Sequence, residues 1–256
     1  MNARFDLLVL TQNVLGGGPA WPARKHLLAR RIRRVAPDVV GLQEVHASSV
    51  RAGASASQAH ELAALVGDGT YHVDFAPGRV ADDGACEGVA LLCRSGIRER
   101  SVESLTLDRE DFLDRAGQRV VLCAMLDLPF GPIDVFVTHL SLSRRARVRT
   151  MKELMSFTSR ERRRSRSVGA VLLGDFNALP GEEALALLGR HWSDVGARAG
   201  ATWPALVPFR RIDYVFVQPH GGWRIVACAR EPLSGSDHLG LSARVRLTPS
   251  DRAVAV

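Results

Sequence analysis

Lysine is almost absent from this 256-residue chain, and none of its four cysteines sits in a C-x-x-C spacing. That removes the usual signatures of a zinc site or a thiol-redox centre. Cys86, Cys93, Cys123 and Cys228 are scattered, three of them in strand-like text. They are expected to be reduced and buried, which points to a cytoplasmic compartment. No apolar stretch approaches the ~20 residues that a membrane-spanning helix needs. No signal-peptide core precedes the first strand-like run, which begins within a few residues of Met1. A soluble, unexported protein is expected. Pro/Ser-rich linkers and short-period repeats are also missing, so the chain reads as one domain over residues 1–256.

Arginine supplies nearly all the positive charge, and the formal net charge is +7. Such an excess suits polyanionic partners, nucleic acid first, then anionic lipid headgroups and phosphorylated metabolites. An Arg- and Ala-rich coding bias would give the same excess. Hydrophobic residues make up 46% and charged residues 24%, a balance that excludes extensive disorder.

Six polar clusters stand beside short apolar runs. Leu7–Leu10 leads into Thr11-Gln12-Asn13, Val39–Leu42 into Gln43-Glu44, and Val135–Val137 into Thr138-His139. Ala170–Leu173 leads into Gly174-Asp175-Phe176-Asn177. Arg211-Ile212-Asp213 precedes Tyr214–Val217, and Ser236-Asp237-His238 precedes Leu239–Leu241. A continuous apolar run bounded by turn residues predicts a strand buried on both faces. Strand ends can release polar side chains into one crevice. Gathering imidazoles, carboxylates and amides there is unfavourable unless they do chemistry, so an enzyme is expected.

Between these runs strands alternate with helices. A basic amphipathic helix after Pro22 should bury Leu27, Leu28, Ile32 and Val35 and end at Pro37. Ser55 with Gln58 forms a capping-box pattern for a second helix, stopped by Gly67. A third helix is predicted over Arg144–Phe157 and a short one between Gly181 and Gly189. The charged run 159–167 reads as a solvated connection. Strand text covers Tyr71–Ala76, Val89–Cys93, Val120–Leu128 and Ile133–His139.

The ordered set Gln43-Glu44, Thr138-His139, Gly174-Asp175-Phe176-Asn177, Arg211-Ile212-Asp213-Tyr214 and Ser236-Asp237-His238 resembles the endonuclease/exonuclease/phosphatase superfamily. The resemblance runs from Asn13 to His238. It implies an α/β fold: a four-layer sandwich of two mixed β-sheets packed face to face with helices outside, the site at one edge. It implies a Mg²⁺-dependent phosphoesterase, with Mn²⁺ as a substitute, most readily a phosphodiesterase or nuclease using in-line water. Phospholipid or small-metabolite phosphoesters, monoesters included, are the alternative, and a non-catalytic polyanion-binding module the remote one. A monomer is expected.

By the same resemblance Glu44 is the main metal ligand, with Asn13 and Asp237 near the metal or its waters. His238 backed by Asp213 forms an acid–base or phosphate-binding dyad. Asp175 activates or positions the attacking water, and Asn177 hydrogen-bonds a phosphate oxygen. His139 stabilises the pentacovalent phosphorus or protonates the leaving oxygen. Arg119 reaches the phosphate, and Glu87 supports His139. The remaining histidines, His46 among them, lack a motif context and read as surface or core residues. Thr202-Trp203-Pro204-Ala205 resembles a recurrent loop that shapes or packs the pocket. The abasic-site endonuclease branch is disfavoured, because Gln12-Asn13 and Gln43-Glu44-Val45-His46 stand where it carries Trp-Asn and Gln-Glu-Thr-Lys. No cysteine pair marks a secreted deoxyribonuclease. No aromatic-tipped apolar hairpin of the sphingomyelinase kind is evident.

Overall fold

Buried-run strands need cover on both faces, and in the computed structural model they obtain it from two stacked sheets and two helical layers. The structure describes residues 5–49, 57–94, 96–115, 117–129, 131–189, 191–218 and 223–247. One sheet is ordered β11 (Arg224–Arg230), β12 (Leu241–Leu247), β1 (Phe5–Asn13), β2 (Val39–Ala47), β4 (Cys86–Cys93), β3 (His72–Val80). The other is ordered β5 (Ile97–Ser104), β6 (Val120–Leu128), β7 (Gly131–His139), β8 (Ala170–Asp175), β10 (Asp213–Gln218), β9 (Ser193–Asp194). In each sheet one parallel pair, β1/β2 or β7/β8, lies among antiparallel neighbours.

Alternation along the strands divides the apolar side chains among three layers. Leu7, Val9 and Val39 face Leu122, Val137 and Leu173 between the sheets. Outside the first sheet, Leu10, Val40 and Leu42 pack on Leu28, Ile32 and Leu62 from α1 (Trp21–Val35) and α2 (Gln58–Val66). Outside the second, Phe136, Leu172 and Phe216 pack on Met151, Leu154 and Phe157 of α3 (Arg144–Ser165), with α4 (Glu183–Leu188) beside it. Each such side chain withdrawn from water contributes roughly 1.5–3 kcal/mol before entropy is subtracted. This is the expected four-layer sandwich.

Four local expectations change. The run 159–167 is not a loose connection: α3 continues to Ser165. Buried Glu161 takes the hydroxyl of Ser101 and the guanidinium of Arg164, while Arg160 pairs with Glu103. Opposite charges from β5 therefore hold it against the sheet. Leu27 is exposed and Ala29 is buried in its place on α1. The N-cap of α2 is Ser57 without a side-chain cap bond, and Ser55 lies outside the described residues. Strands β5 and β11 stand outside the expected strand text: β5 carries no apolar run, and the run Ile225–Ala229 of β11 stays largely in solvent, because both are edge strands.

No helix among the described residues is long and apolar enough to cross a membrane.

Candidate active site

The carboxyl ends of the two parallel pairs meet at one edge of the sandwich. Asn13 ends β1, His139 ends β7 and Asp175 ends β8, with His139 and Asp175 in register across the β7/β8 pair. Gly174 permits that approach, since a Cβ there would lie 2.4 Å from the carbonyl oxygen of Thr138. Glu44 sits in a bulge of β2, where the pairing with β4 slips between Leu42 and Val45, and adopts a left-handed backbone (φ 56°). Asn177 is likewise left-handed (φ 50°). Asparagine tolerates that conformation, whereas for Glu44 it is unfavourable and must be held by the surrounding structure. Asp213 opens β10, and Asp237 and His238 precede β12.

Nine of the ten residues given roles by the resemblance, all but Glu87, are brought together at this edge. The Asn13 amide joins two of the carboxylates, donating through Nδ2 to Glu44 Oε1 (2.9 Å) and Asp175 Oδ2 (3.1 Å). The same Asp175 oxygen lies 3.6 Å from Nε2 of His139 and 3.7 Å from Nε2 of His238. His238 turns its Nδ1 to Asp213 Oδ2 at 2.9 Å. The Trp203 indole donates to Asp237 Oδ2 at 3.1 Å, which gives the 202–205 loop a defined place in the site. Asn177 places Nδ2 at 3.1 Å from His139 Nε2 and donates to the Leu140 carbonyl.

The electrostatics separate the two imidazoles. Burial alone would lower the pKa of His238, but Asp213, then Asp175 and Asp237, overcome it and push it up to about 10. His139 moves the other way: burial, then the charges of Arg119 and His238, hold it well below the usual histidine value. His238 is therefore an imidazolium at neutral pH and His139 a neutral ring. Burial and the neighbouring Asp213 raise Asp175 to about 7, with His238 opposing them. Glu44 is raised by burial, and Glu87 and Asp237 add to the rise.

Glu87 does not support His139. Its carboxylate pairs with Nε2 of His46 at 3.0 Å, and Nδ1 of His139 instead accepts from Arg119 Nη1 at 3.0 Å. The β3/β4 hairpin turns Glu87 toward the β2 bulge, where His46 is paired with it across the strands. One contributor carried no sequence signal. Arg24, one turn before Leu28 on the apolar side of α1, donates to the carbonyls of Val14, Leu15, Gly18, Pro19 and Gly235. It ties the loop after β1 to the segment before Ser236. Ser236 in turn donates from its hydroxyl to the Asn13 carbonyl at 2.7 Å.

The residues fit a divalent cation. Glu44, Asp237 and the side-chain oxygen of Asn13 offer hard oxygen donors, and burial together with Glu87 and Asp237 raises Glu44, an environment that a bound cation would relieve. The atoms of Asp175, Asp213 and His238 also converge within 4.8 Å. There, however, the His238–Asp213 hydrogen bond occupies Nδ1, and the raised pKa of His238 keeps its ring protonated.

A two-sheet sandwich with buried acids and imidazoles at one edge is the architecture of a class of hydrolases acting on phosphate esters. The pattern of the Endonuclease/Exonuclease/phosphatase family matches residues 10–238, and the chain belongs to that family. Among curated proteins none matches the sequence. An endonuclease/exonuclease/phosphatase from Beutenbergia cavernae DSM 12333 superposes with a TM-score of 0.75 at 26% identity, covering 94% of this chain and 72% of its own. The human Nocturnin catalytic domain with bound sulfate shares 18% identity (TM-score 0.74, covering 96% of this chain and 97% of that one). A mannosyl-6-phosphatase from Bacteroides thetaiotaomicron VPI-5482 also shares 18% (TM-score 0.73, covering 93% and 99%). At that identity the last two show the fold alone.

Proposed function

We infer that the chain is a divalent-cation-dependent phosphoesterase, most readily a phosphodiesterase, that hydrolyses its substrate by direct attack of water. The observation that carries this reading is the Asn13 amide, which holds Glu44 and Asp175 together beside two imidazoles of opposite protonation. Mg²⁺, or Mn²⁺ in its place, would be held by Glu44 with Asn13 and Asp237. When bound it supplies positive charge to the phosphate and the departing oxygen.

The chain's own groups divide the remaining work. Asp175, with a pKa raised to about 7, takes a proton from the attacking water. His238, its Nδ1 held by Asp213, presents a charged Nε2–H to a nonbridging oxygen. His139 stays neutral and stabilises the pentacovalent phosphorus by hydrogen bonding. That role suits its suppressed pKa better than protonation of the leaving group. Asn177 steers His139 and donates to phosphate. Arg119 acts through His139 at its Nδ1. A cavity of about 190 Å³ walled by His46, two residues on from Glu44, with Arg79 and Glu87, offers room for a group attached to the phosphate.

Nucleic acid is favoured by the net charge of +7. Against it, many arginines are already engaged: Arg147 with Glu182, Arg149 with Asp114, Arg164 with Glu161, Arg211 with Asp194, and Arg24 with backbone carbonyls. The deciding experiment is hydrolysis with Mg²⁺ and with EDTA across plasmid DNA, single-stranded RNA, a choline phospholipid, an inositol polyphosphate and simple mono- and diesters. Chelator-sensitive cleavage of a diester is expected. Metal-indifferent binding without turnover would replace this reading with a non-catalytic module.

A further inference from the structure

Exposed apolar side chains are unevenly distributed over the molecule. Of the thirteen large hydrophobic residues that are exposed among the described residues, eight lie in loops at the catalytic edge. The loop between β5 and β6 contributes Phe112 (72% exposed) and Leu113. The loops after β7 and β8 contribute Leu142 (55%) and Leu179. The loop before β10 carries Leu206 (82%), Val207 (73%) and Phe209 (70%), and the loop before β12 carries Leu233. The loops at the opposite edge of the sandwich carry none among the described residues.

These loops are fastened to the catalytic groups. Trp203 packs edge-on against Phe209 and donates to Asp237, and its ring centroid is 6.4 Å from that of His238. Ala205 donates its backbone N–H to the Asp237 carbonyl. The Ser141 hydroxyl, two residues beyond His139, reaches the Leu113 carbonyl. Leu179 follows Asn177 by two residues, and Leu233 precedes Ser236 by three. The apolar rim and the crevice thus share one surface.

We propose, on the strength of the phosphoesterase reading, that this edge docks on an anionic phospholipid bilayer, placing the crevice at the level of the headgroup phosphates. The composition of the rim chooses this partner. Six of its eight residues are Leu or Val, which gain from hydrocarbon and nothing from stacking on bases. Arginines interleave with them: exposed Arg115 lies over Phe112, half-buried Arg210 over Trp203, and exposed Arg144 and Arg145 follow Leu142. Apolar side chains that insert, set among cations that meet the headgroup charge, form the pattern of an interfacial binder. The sequence hides this feature because the inserting residues come from separate loops and not from one hairpin.

The test is flotation of the whole protein with phosphatidylcholine vesicles, with and without phosphatidylglycerol, in EDTA so that docking is read without turnover. Wild-type protein is expected to float with the anionic vesicles. Leu206→Ser with Val207→Ser should lower partitioning about tenfold or more. Ile225→Ser with Val226→Ser, which removes exposed apolar area from β11 away from this edge, should leave it unchanged. Thermal melts verify that each variant is folded. Protein that stays in solution, or an equal loss in the β11 variant, would overturn the proposal. So would a rim variant that instead weakens binding to a single-stranded oligonucleotide or dissolves a dimer in sedimentation velocity. Flotation without Mg²⁺-dependent cleavage of any phosphoester would leave docking standing and remove the catalytic reading.

Discussion

Arg119 Nη1 stands 3.0 Å from Nδ1 of His139, at the position where a carboxylate had been expected from Glu87. A guanidinium can only donate, so it fixes Nδ1 as an acceptor and opposes a second proton on the ring. Arg119→Met should raise the pKa of His139. Imidazole resonances followed across a pH titration would reveal it. An unmoved titration would mean that burial alone keeps the ring neutral.

The His238–Asp213 pair should contribute to activity and to pH-dependent stability in separable ways. Asp213→Asn keeps the shape but loses the charge that orients the imidazolium, and turnover should fall roughly 10³–10⁴-fold, as for other carboxylate–imidazole pairs. His238→Ala should abolish turnover with the fold retained. Near-normal activity in that variant would remove the assigned mechanism.

In the folded protein the pKa of His238 is raised to about 10, above its ordinary value of 6.5. Between about pH 7 and 9 the native state then holds a proton that the unfolded chain releases, so metal-free stability falls as pH rises. The slope is at most about 1.4 kcal/mol per pH unit. Urea unfolding in EDTA at several pH values would measure it, and His238→Ala should flatten it.

Glu44 combines a left-handed backbone with a raised pKa. Glu44→Gln should therefore melt at the same or a higher temperature than wild type in EDTA, because a poorly solvated charge is removed. Added Mg²⁺ should stabilise wild type and leave the variant unmoved, in the manner of any ligand that binds only the native state. Thermal melts with and without metal decide it. An equal Mg²⁺ response in the variant would place the cation elsewhere.

The cysteines should be inert. Burial pushes Cys93 up to about 12 and Cys228 up to about 11, and raises Cys86 and Cys123 as well. Thiolates are the reactive form, so a thiol reagent at pH 8 should label none in the native state and all four under denaturant.

The fold class, the interior strands and the polar clusters were legible along the chain because each rests on a local pattern. Val135–Val137 and Ala170–Leu173 are buried on both faces, as is Leu7–Leu10 apart from half-buried Leu8, and that shows as uninterrupted apolar text. Ile97–Ser104 is an edge strand with little to bury, so composition did not mark it, whereas the apolar run Ile225–Ala229 of the edge strand Arg224–Arg230 has no polar motif beside it to draw notice. The long α3 was cut short in the sequence because the charges of Glu161 and Arg164 look solvated until β5 supplies their partners.

Which residues could meet was set by the sequence, through short motifs that deliver Asn13, His139, Asp175 and His238 at strand ends. How they meet was decided only by the tertiary structure. Glu87 faces His46, Arg119 takes the back of His139, Arg24 laces the loop carbonyls, and the scattered leucines of separate loops share one edge. Hydrophobic burial follows residue type and period, and so can be read locally. Pairing of charges and the gathering of loops depend on which strand lies beside which, a property of packing that no stretch of sequence carries alone.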